Sequence, residues 1–326
     1  MARPGNAAPR GGNRTSSLKG ARAPTFKAGS MRSSPASGRP KTTTASSSKG
    51  MRAAQVPHPR AAATSASSYT AASSVQSHKR SHPGRATSSN TSFGKAVQAI
   101  EKETRGQRDN PKWHEWRENR ITASVAHKIA NSHFVNRKTS EVPQSYLKAV
   151  VGQGPVIQTP ATSWGIRNEK RAVQEYAHLK SRNSRGGVKV EDCGLFIHPK
   201  KTWLAASPDG IVKNNSTGKP IGLLEVKCPY KHKDQTIREA CKDDKFCLTP
   251  AGNSYTLKKD HPYYTQVQTQ MAATGVKKTD FVVYTKKETT IAPVKFDAKF
   301  WKATEPKLEK FYNDVVVPHE NKNHSA

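Results

Sequence analysis

The sequence predicts an α/β domain with a central mixed sheet flanked by helices, preceded by a long disordered basic tail. The first hundred residues contain no acidic side chain and few large apolar ones. After them, apolar periods follow in the order helix, strands, helix, strand, helix, which is typical of an α/β fold. No stretch of about 20 apolar residues occurs, so a membrane protein is not expected.

Residues 1–104 are predicted to form a disordered tail, with one short helix over 93–104 near its end. Residues 1–100 hold 16 of the 55 lysines and arginines but none of the 24 acidic residues. Such a segment, rich in Ser, Ala, Thr, Gly and Pro, cannot bury enough apolar area to offset its ordering entropy. We expect an intracellular protein, in the nucleus rather than the mitochondrion. A solvated tail that helps to hold DNA is favoured over a nuclear signal around His78–Arg80 and over a mitochondrial transit peptide.

The rest of the chain also carries more basic than acidic side chains, since it keeps most of the lysines and arginines. A basic domain attracts polyanions, of which nucleic acid is the commonest, although a solvated basic surface has the same composition. The four cysteines, Cys193, Cys228, Cys241 and Cys247, lack the spacing of a zinc site. Reduced thiols are therefore expected.

Periodicity places the individual elements after residue 105. Helices are predicted over 123–131, 164–179, 263–274 and 296–317, with a short one near 236–241. Strands are predicted over 188–190, 194–198, 203–207, 210–213, 221–228 and 280–285. Gly275 stands where a helix C-cap is favoured. Residues 231–259 show no clear period and predict a loop-rich connection, and residues 319–326 are expected to be disordered.

One predicted strand carries the residues that best suit catalysis. In Leu223–Pro229 the two-residue period of a strand sends Glu225 and Lys227 to the same face. Fifteen residues separate Asp209 from Glu225, which allows a turn and a returning antiparallel strand that sets the two carboxylates side by side. Ordinary alternatives exist, because a solvated strand often bears a Glu and a Lys and Ser207–Gly210 is good turn chemistry.

Two close carboxylates would suit Mg²⁺, which prefers a few hard oxygen ligands together with water and phosphate. Lys227 could then orient or deprotonate a water molecule, or stabilise the charge that develops on phosphorus. Glu169, on the preceding predicted helix, could complete the site through water or ligate a second ion.

Five short motifs follow one another in the predicted domain. They are Trp113-x3-Arg117-x3-Ile121-Thr122-Ala123-Ser124, Trp164-Gly165-x3-Glu169, Ser207-Pro208-Asp209-Gly210, Leu224-Glu225-Val226-Lys227-Cys228-Pro229 and Tyr264-x-Gln266-Val267-Gln268. Their succession resembles the YqaJ-type viral recombinase family. That family includes the phage lambda exonuclease and has the PD-(D/E)xK fold, the restriction-endonuclease-like core of a mixed sheet flanked by helices.

The resemblance implies a nuclease domain over residues 105–318 and assigns roles within it. The implied metal ligands are Asp209, Glu225, the Val226 carbonyl and Glu169. The implied catalytic residues are Glu169, Asp209, Glu225 and Lys227. The implied substrate-binding residues are Arg117, Ser124, Ser207 and Gln266. The implied cofactor is Mg²⁺, with Mn²⁺ as an alternative, as one or two ions.

The expected function is a Mg²⁺-dependent DNA nuclease, foremost a 5′-phosphate-recognising exonuclease that acts on double-stranded DNA with free ends in recombination or repair. The alternatives are an endonuclease that uses the same residues and a catalytically inactive DNA-binding protein. After the catalytic strand, the chain has Lys231, His232 and Lys233 where the phage enzyme would offer an arginine, which keeps the positive charge but loses the planar bidentate fork. Homo-oligomer formation, as in the ring-like trimers of the phage relative, is left open.

Overall fold

The protein is described by a computed structural model over residues 92–154, 158–184 and 186–324. Its α-helices are α1 Ser92–Glu103, α2 Pro111–Glu115, α3 Ala123–Ala130, α4 Gln144–Val150, α5 Pro160–Arg182, α6 Ile237–Ala240, α7 Pro262–Thr274, α8 Ala298–Phe311 and α9 Val317–His324. Its strands are β1 Ile121–Thr122, β2 Val188–Glu191, β3 Phe196–Ile197, β4 Leu204–Ala206, β5 Gly210–Asn214, β6 Pro220–Lys227, β7 Leu248–Ala251, β8 Ser254–Leu257, β9 Lys278–Tyr284 and β10 Thr289–Lys295. Most of the predicted disordered tail lies outside the described residues.

A five-stranded sheet with the order β10-β9-β6-β5-β2 forms the centre of this part of the chain. Strands β6 and β9 are parallel and the other neighbouring pairs are antiparallel, so the sheet is mixed. Ala172 and Tyr176 of α5 pack on one face, against Leu224 and Val226. Leu223 packs on the other face with residues of α7. The predicted α/β architecture, a central mixed sheet flanked by helices, is confirmed.

A smaller sheet, β1-β4-β3, supports the segment that precedes the central sheet. Strand β1 pairs in parallel with β4, with Ile121 opposite Leu204 and Thr122 opposite Ala205. Ile121 and Leu204 are fully buried, and burial of such side chains contributes on the order of 1.5–3 kcal/mol each. The ends of these two parallel strands therefore lie at one edge of the sheet.

The short helix predicted over 93–104 is confirmed as α1, and its end is docked on the fold. Glu101 and Thr104 are buried. A Glu101 carboxylate oxygen accepts a hydrogen bond from the Gly194 amide at 3.0 Å, and the Thr104 hydroxyl accepts one from the Leu195 amide at 2.7 Å. These contacts satisfy backbone donors that no strand partner reaches. The folded unit thus begins before residue 105, the predicted domain start.

Gly194→Ala is expected to destabilise this docking. A Cβ at position 194 would lie 2.1 Å from the Glu101 carbonyl oxygen and 2.3 Å from the Thr104 hydroxyl oxygen, so helix α1 must move. Overpacking of this kind costs about 1–3 kcal/mol, which chemical denaturation would measure. Gly165→Ala is the control, because its added Cβ meets nothing within 4 Å and a helical Gly→Ala change stabilises by about 0.5–1 kcal/mol. Equal stability of the two variants would contradict the docking.

Several elements were missed or misplaced by the sequence predictions. The connection over 231–259 does contain the short helix expected near 236–241, but it also contains the β7–β8 hairpin, in which only Leu248 and Leu257 are buried. Strand β10 was missed because Pro293 argues against a strand, yet β10 lies at the sheet edge, where proline is tolerated. Helix α4 and strand β1 were also missed.

The chain end also differs from its prediction. The single helix predicted over 296–317 is α8, followed by a π-helical turn over Tyr312–Val316 and then by α9. Helix continues to His324, through most of the segment 319–326 that was predicted to be disordered. Among the described residues, we find no helix with the length and apolar character needed to cross a membrane.

Candidate active site

The predicted pairing of the two carboxylates is confirmed by the register of β5 and β6. Gly210 lies opposite Leu224, so Asp209, one residue earlier, is adjacent to Glu225, one residue later. The Asp209 amide donates to the Leu224 carbonyl at 3.0 Å, and Asp209 Oδ2 accepts from the Val226 amide at 2.7 Å. Asp209 is thereby held at the end of β6 by contacts through its backbone and side chain.

Glu225 is a buried carboxylate near the end of β6, between two apolar side chains. Its exposed fraction is 1%, and its neighbours Leu224 and Val226 are buried. Glu225 Oε1 accepts from Lys227 Nζ at 2.5 Å and from Gln266 Nε2 at 2.5 Å, and Oε2 accepts from Gln270 Nε2 at 2.6 Å. A buried charge requires such a set of partners. The predicted common face of Glu225 and Lys227 is confirmed by their ion pair.

Asp209 and Glu169 carry an excess of negative charge at the same place. Burial, and then the carboxylate of Glu225, raise the pKa of Asp209 well above its usual range, with Lys227 opposing. Burial also raises the pKa of Glu169, against the effect of Arg108 and with a further contribution from Glu225. Within the described part of the chain, neither Asp209 nor Glu169 has an ion-pair partner. The three carboxylates therefore form one electrostatic cluster.

Lys227 is held as an ammonium by this cluster. Burial lowers the pKa of Lys227, but Glu225 and Asp209 outweigh that effect and hold the pKa above its usual range. Its Nζ also lies 4.9 Å from the centre of the Tyr263 ring, a cation–π contact. Of the three roles considered for this lysine, orientation of water and stabilisation of charge are the two that use a bound proton.

A cleft of about 260 Å³ opens beside these residues. Glu169 of α5, Lys227 at the end of β6 and Tyr263 of α7 line it, together with Val226 and Pro229. The helices on the two faces of the sheet thus each supply one wall. The cleft places Glu169 and Lys227 against the same space, where a phosphodiester group would have access to them.

The predicted phosphate-binding residues adjoin the Asp209 turn through a tryptophan. Trp113 Nε1 donates to the Ser207 hydroxyl at 2.8 Å, and the Arg117 guanidinium lies 3.9 Å from the centre of the Trp113 ring. Ser207 follows β4 and Ser124 follows β1, whose parallel strands end at one edge. Arg117 and Ser207 are thereby linked to the turn before Asp209, and Ser124 lies at the same end of the paired strands.

Arg117 has the features of an anion-binding side chain. Burial alone lowers its pKa to about 10. No carboxylate or other hydrogen-bond acceptor is paired with its guanidinium in the part of the chain that the structure describes. Arg120, by contrast, donates to the carbonyls of Thr202 and Trp116. Because an arginine fork suits phosphate oxygens, the free guanidinium of Arg117 is available to one.

Some residues at the site were not predicted. Gln107 Nε2 donates to the carbonyls of Pro208 at 2.8 Å and Cys193 at 3.1 Å, which ties the turn before Asp209 to the 3₁₀ turn Gln107–Asp109. Arg108 of that turn acts electrostatically on Glu169. Gln107 has a positive φ of 47°, a strained backbone conformation that its long-range contacts stabilise. No sequence pattern predicts this conformation.

Two predicted site residues, Gln266 and Val226, make observed contacts that differ from their predicted roles. Gln266, predicted to bind substrate, lies at the site with its amide nitrogen on Glu225, so its observed contact is to a carboxylate. The backbone amide of Val226 donates a hydrogen bond to Asp209. The role of the Val226 carbonyl as a metal ligand stays a prediction. Tyr263 lines the cleft, whereas Tyr264 is buried in the core, with its hydroxyl donating to Asp297.

The donor set fits a hard divalent cation that keeps external ligands. Asp209 and Glu225 present adjacent carboxylates, and the unpaired charges of Asp209 and Glu169 would gain from a cation. Among the described residues, no group of three or more His, Cys, Asp or Glu side chains is arranged to hold a metal ion, so the candidate ligands are the pair Asp209 and Glu225. Mg²⁺ typically takes one or two carboxylates and completes its shell with water and substrate phosphate.

Two viral proteins are similar in sequence to this chain. Over 225 residues the chain is 26% identical to an alkaline nuclease of Autographa californica nuclear polyhedrosis virus, covering 62% of this chain and 47% of that protein. Over 106 residues it is 35% identical to the uncharacterized protein R354 of Acanthamoeba polyphaga mimivirus, covering 30% of this chain and 16% of that one. The chain thus spans less than half the length of these curated relatives.

A solved alkaline exonuclease (LHK-Exo) from Laribacter hongkongensis is also similar, with 22% sequence identity and a TM-score of 0.47 over 66% of this chain and 98% of that one. Residues 112–277 match the YqaJ-like viral recombinase domain. The matched region makes up half of the chain and includes the four residues Glu169, Asp209, Glu225 and Lys227. The chain therefore belongs to the YqaJ-like viral recombinase family.

Proposed function

We propose that this protein is a Mg²⁺-dependent deoxyribonuclease that degrades double-stranded DNA from 5′-phosphorylated ends, in recombination or repair. The observation that carries the proposal is the convergence of Asp209, Glu225 and Lys227 on one end of β6, next to a cleft. The related viral protein is an alkaline nuclease by name. The excess of basic residues supports a polyanionic substrate.

In this mechanism Asp209 and Glu225 would hold the cation, with Glu169 contributing through water or to a second ion. The bound ion would polarise a phosphoryl oxygen and lower the pKa of a bound water molecule. Lys227, held as an ammonium beside Glu225, stabilises the negative charge that develops on the phosphoryl oxygens. Tyr263 excludes water from one side of the Lys227 ammonium.

Recognition of the DNA end is assigned to Arg117, Ser124 and Ser207. Arg117 would grip a terminal 5′-phosphate with its planar fork, and the hydroxyls of Ser124 and Ser207 would donate to further phosphate oxygens. Ser124 lies in the first turn of α3, whose amino end favours an anion. Because Trp113 donates a hydrogen bond to Ser207, the position of the phosphate-binding residues is fixed relative to Asp209.

The proposal is tested with three substrates in Mg²⁺: a 5′-phosphorylated linear duplex, the same duplex with 5′-hydroxyl ends, and a closed circle. We expect rapid loss of the first, slow loss of the second and no loss of the circle. Equal loss of all three would identify an endonuclease and contradict end recognition. DNA binding with no loss of any substrate would identify an inactive DNA-binding protein and contradict the nuclease assignment.

Arg117→Lys is expected to reduce the preference for 5′-phosphate over 5′-hydroxyl ends by about 10- to 100-fold, because a hydrogen bond to a charged group is worth about 1.5–3 kcal/mol and lysine loses the fork. The ratio of initial rates on the two linear duplexes measures this. Arg120→Lys is the matched control, since Arg120 serves backbone carbonyls, and it should keep the wild-type ratio. An unchanged ratio in Arg117→Lys would remove Arg117 from end recognition.

A further inference from the structure

Helix α7 points a second glutamine at Glu225, and none of the five sequence motifs includes it. Gln266 and Gln270 are one helical turn apart and thus share a face. Gln266 donates to Glu225 Oε1 and Gln270 donates to Oε2. Gln270 is fully buried. The two oxygens of one carboxylate are therefore oriented by one helix.

The two carboxylate oxygens are not equally occupied. Each has two lone-pair directions that can accept a hydrogen bond or ligate a cation. Oε1 accepts from Lys227 and Gln266, which fills both directions, whereas Oε2 accepts from Gln270 alone among the residues that the structure describes. Oε2 thus keeps one direction free. That direction is set by the hydrogen bond from Gln270.

The amide nitrogen of Gln270 faces Glu225, and this orientation leaves the amide oxygen without a partner among the described residues. A carboxylate only accepts, so the amide nitrogen must face it. Gln270 Oε1 is therefore buried with no hydrogen-bond partner in the described part of the chain. A buried acceptor without a partner destabilises the folded protein. Polar residues that serve folding alone are usually satisfied at both ends. Gln270 is therefore better explained by the site than by the stability of the core.

Gln268, two residues away on the same helix, shows the contrasting arrangement. It is equally buried, but its Nε2 donates to the Lys295 carbonyl at 3.0 Å and its Oε1 accepts from the Asp297 amide at 2.8 Å. Both of its amide atoms thus join α7 to the segment after β10. Gln268 is a structural glutamine with no contact to Glu225.

We propose that Gln270 is a positioning residue that orients Glu225 so that Oε2 presents its free lone pair to the divalent cation. The inference rests on the proposed metal site. It adds that Glu225 Oε2 is the ligating oxygen and that Gln270 orients it. Partners of this kind typically change metal affinity or activity by 10- to 100-fold. Gln270 acts through Glu225 and does not contact substrate in this account.

The variants Gln270→Met and Gln268→Met distinguish an effect on metal binding from an effect on the stability of the fold. For Gln270→Met we expect Mn²⁺ binding to the protein alone, measured by calorimetry, to weaken about 10- to 100-fold, and the Mg²⁺ concentration for half-maximal digestion to rise similarly. Its unfolding free energy is measured alongside, because the variant removes both the unpartnered oxygen and a hydrogen bond to the buried Glu225. Gln268→Met should lose stability yet keep wild-type metal binding.

Gln270→Asn serves as a second variant, because its shorter amide cannot reach Glu225 and it should weaken Mn²⁺ binding as Gln270→Met does. Wild-type Mn²⁺ affinity in both Gln270 variants would overturn the inference, as would an equal loss of affinity in Gln268→Met. A wild-type protein that neither binds Mn²⁺ nor digests DNA would instead contradict the proposed function itself. The two failures are therefore distinguishable.

Discussion

Asp209→Asn is expected to abolish Mg²⁺-dependent digestion of DNA and at the same time to stabilise the fold. The Asn side-chain oxygen can still accept from the Val226 amide, but the charge that faces Glu225 and Glu169 is lost. Loss of a metal-ligating charge removes several kcal/mol of transition-state stabilisation, a rate decrease on the order of 10³-fold or more. Relief of the repulsion should raise Tm by about 2–4 °C, which corresponds to about 1 kcal/mol.

The measurement is the initial rate on a 5′-phosphorylated duplex at saturating Mg²⁺, with Tm taken in the presence of a chelator. Asp280→Asn is the matched control. Asp280 accepts from the Tyr176 hydroxyl at 2.7 Å and pairs with Lys180 at 2.8 Å, so its variant should lose stability and keep activity. An Asp209→Asn protein that still digests DNA at the wild-type rate would contradict the assignment of Asp209.

Lys227→Met is expected to reduce activity by about 10²- to 10³-fold and, unlike Asp209→Asn, to destabilise the fold. The activity falls because a preorganised positive group near the phosphoryl oxygens is removed. The fold suffers because Glu225, with 1% exposure, loses its cationic partner, and removal of one partner of a buried pair costs about 3–5 kcal/mol. Chemical denaturation without divalent ions measures the second effect.

The double variant Glu225→Gln/Lys227→Met identifies the source of that loss. A neutral amide at position 225 needs no cation, and Gln270 can turn its unpartnered amide oxygen toward it. Most of the lost stability should therefore return while activity stays absent. Additive losses in the double variant would show that the two side chains are not energetically coupled, and the ion pair would then have no part in the site.

Much of the site was predictable because its residues lie in short, regular patterns. The two-residue period of β6 places Glu225 and Lys227 on one face. The polar turn between β5 and β6 sets a register in which Asp209 meets Glu225. Helix α7 was predicted from its period and from Gly275, which adopts φ 78° at the C-cap. Local geometry decides each of these features, and local geometry is what a sequence reports.

The remaining features depend on contacts between distant segments. Gln107 reaches Pro208 across 101 residues and Gln270 reaches Glu225 across 45, and neither contact leaves a periodic signal. The docking of Glu101 on Gly194 is similar, because a basic, Ser-rich sequence precedes a helix that only its tertiary contacts stabilise. The one sequence signal for Gln270 was its place directly before the apolar run 271–273 of a predicted helix, since a polar side chain buried there needs a partner.

The most direct test of the central claim is a crystal structure with Mn²⁺, in which anomalous scattering locates the ion. We predict a peak within about 2.0–2.2 Å of an Asp209 carboxylate oxygen and of Glu225 Oε2, with Lys227 still bonded to Oε1. A peak bound elsewhere, or none between Asp209 and Glu225 in crystals of active protein, would contradict a metal-dependent nuclease centred on these two carboxylates.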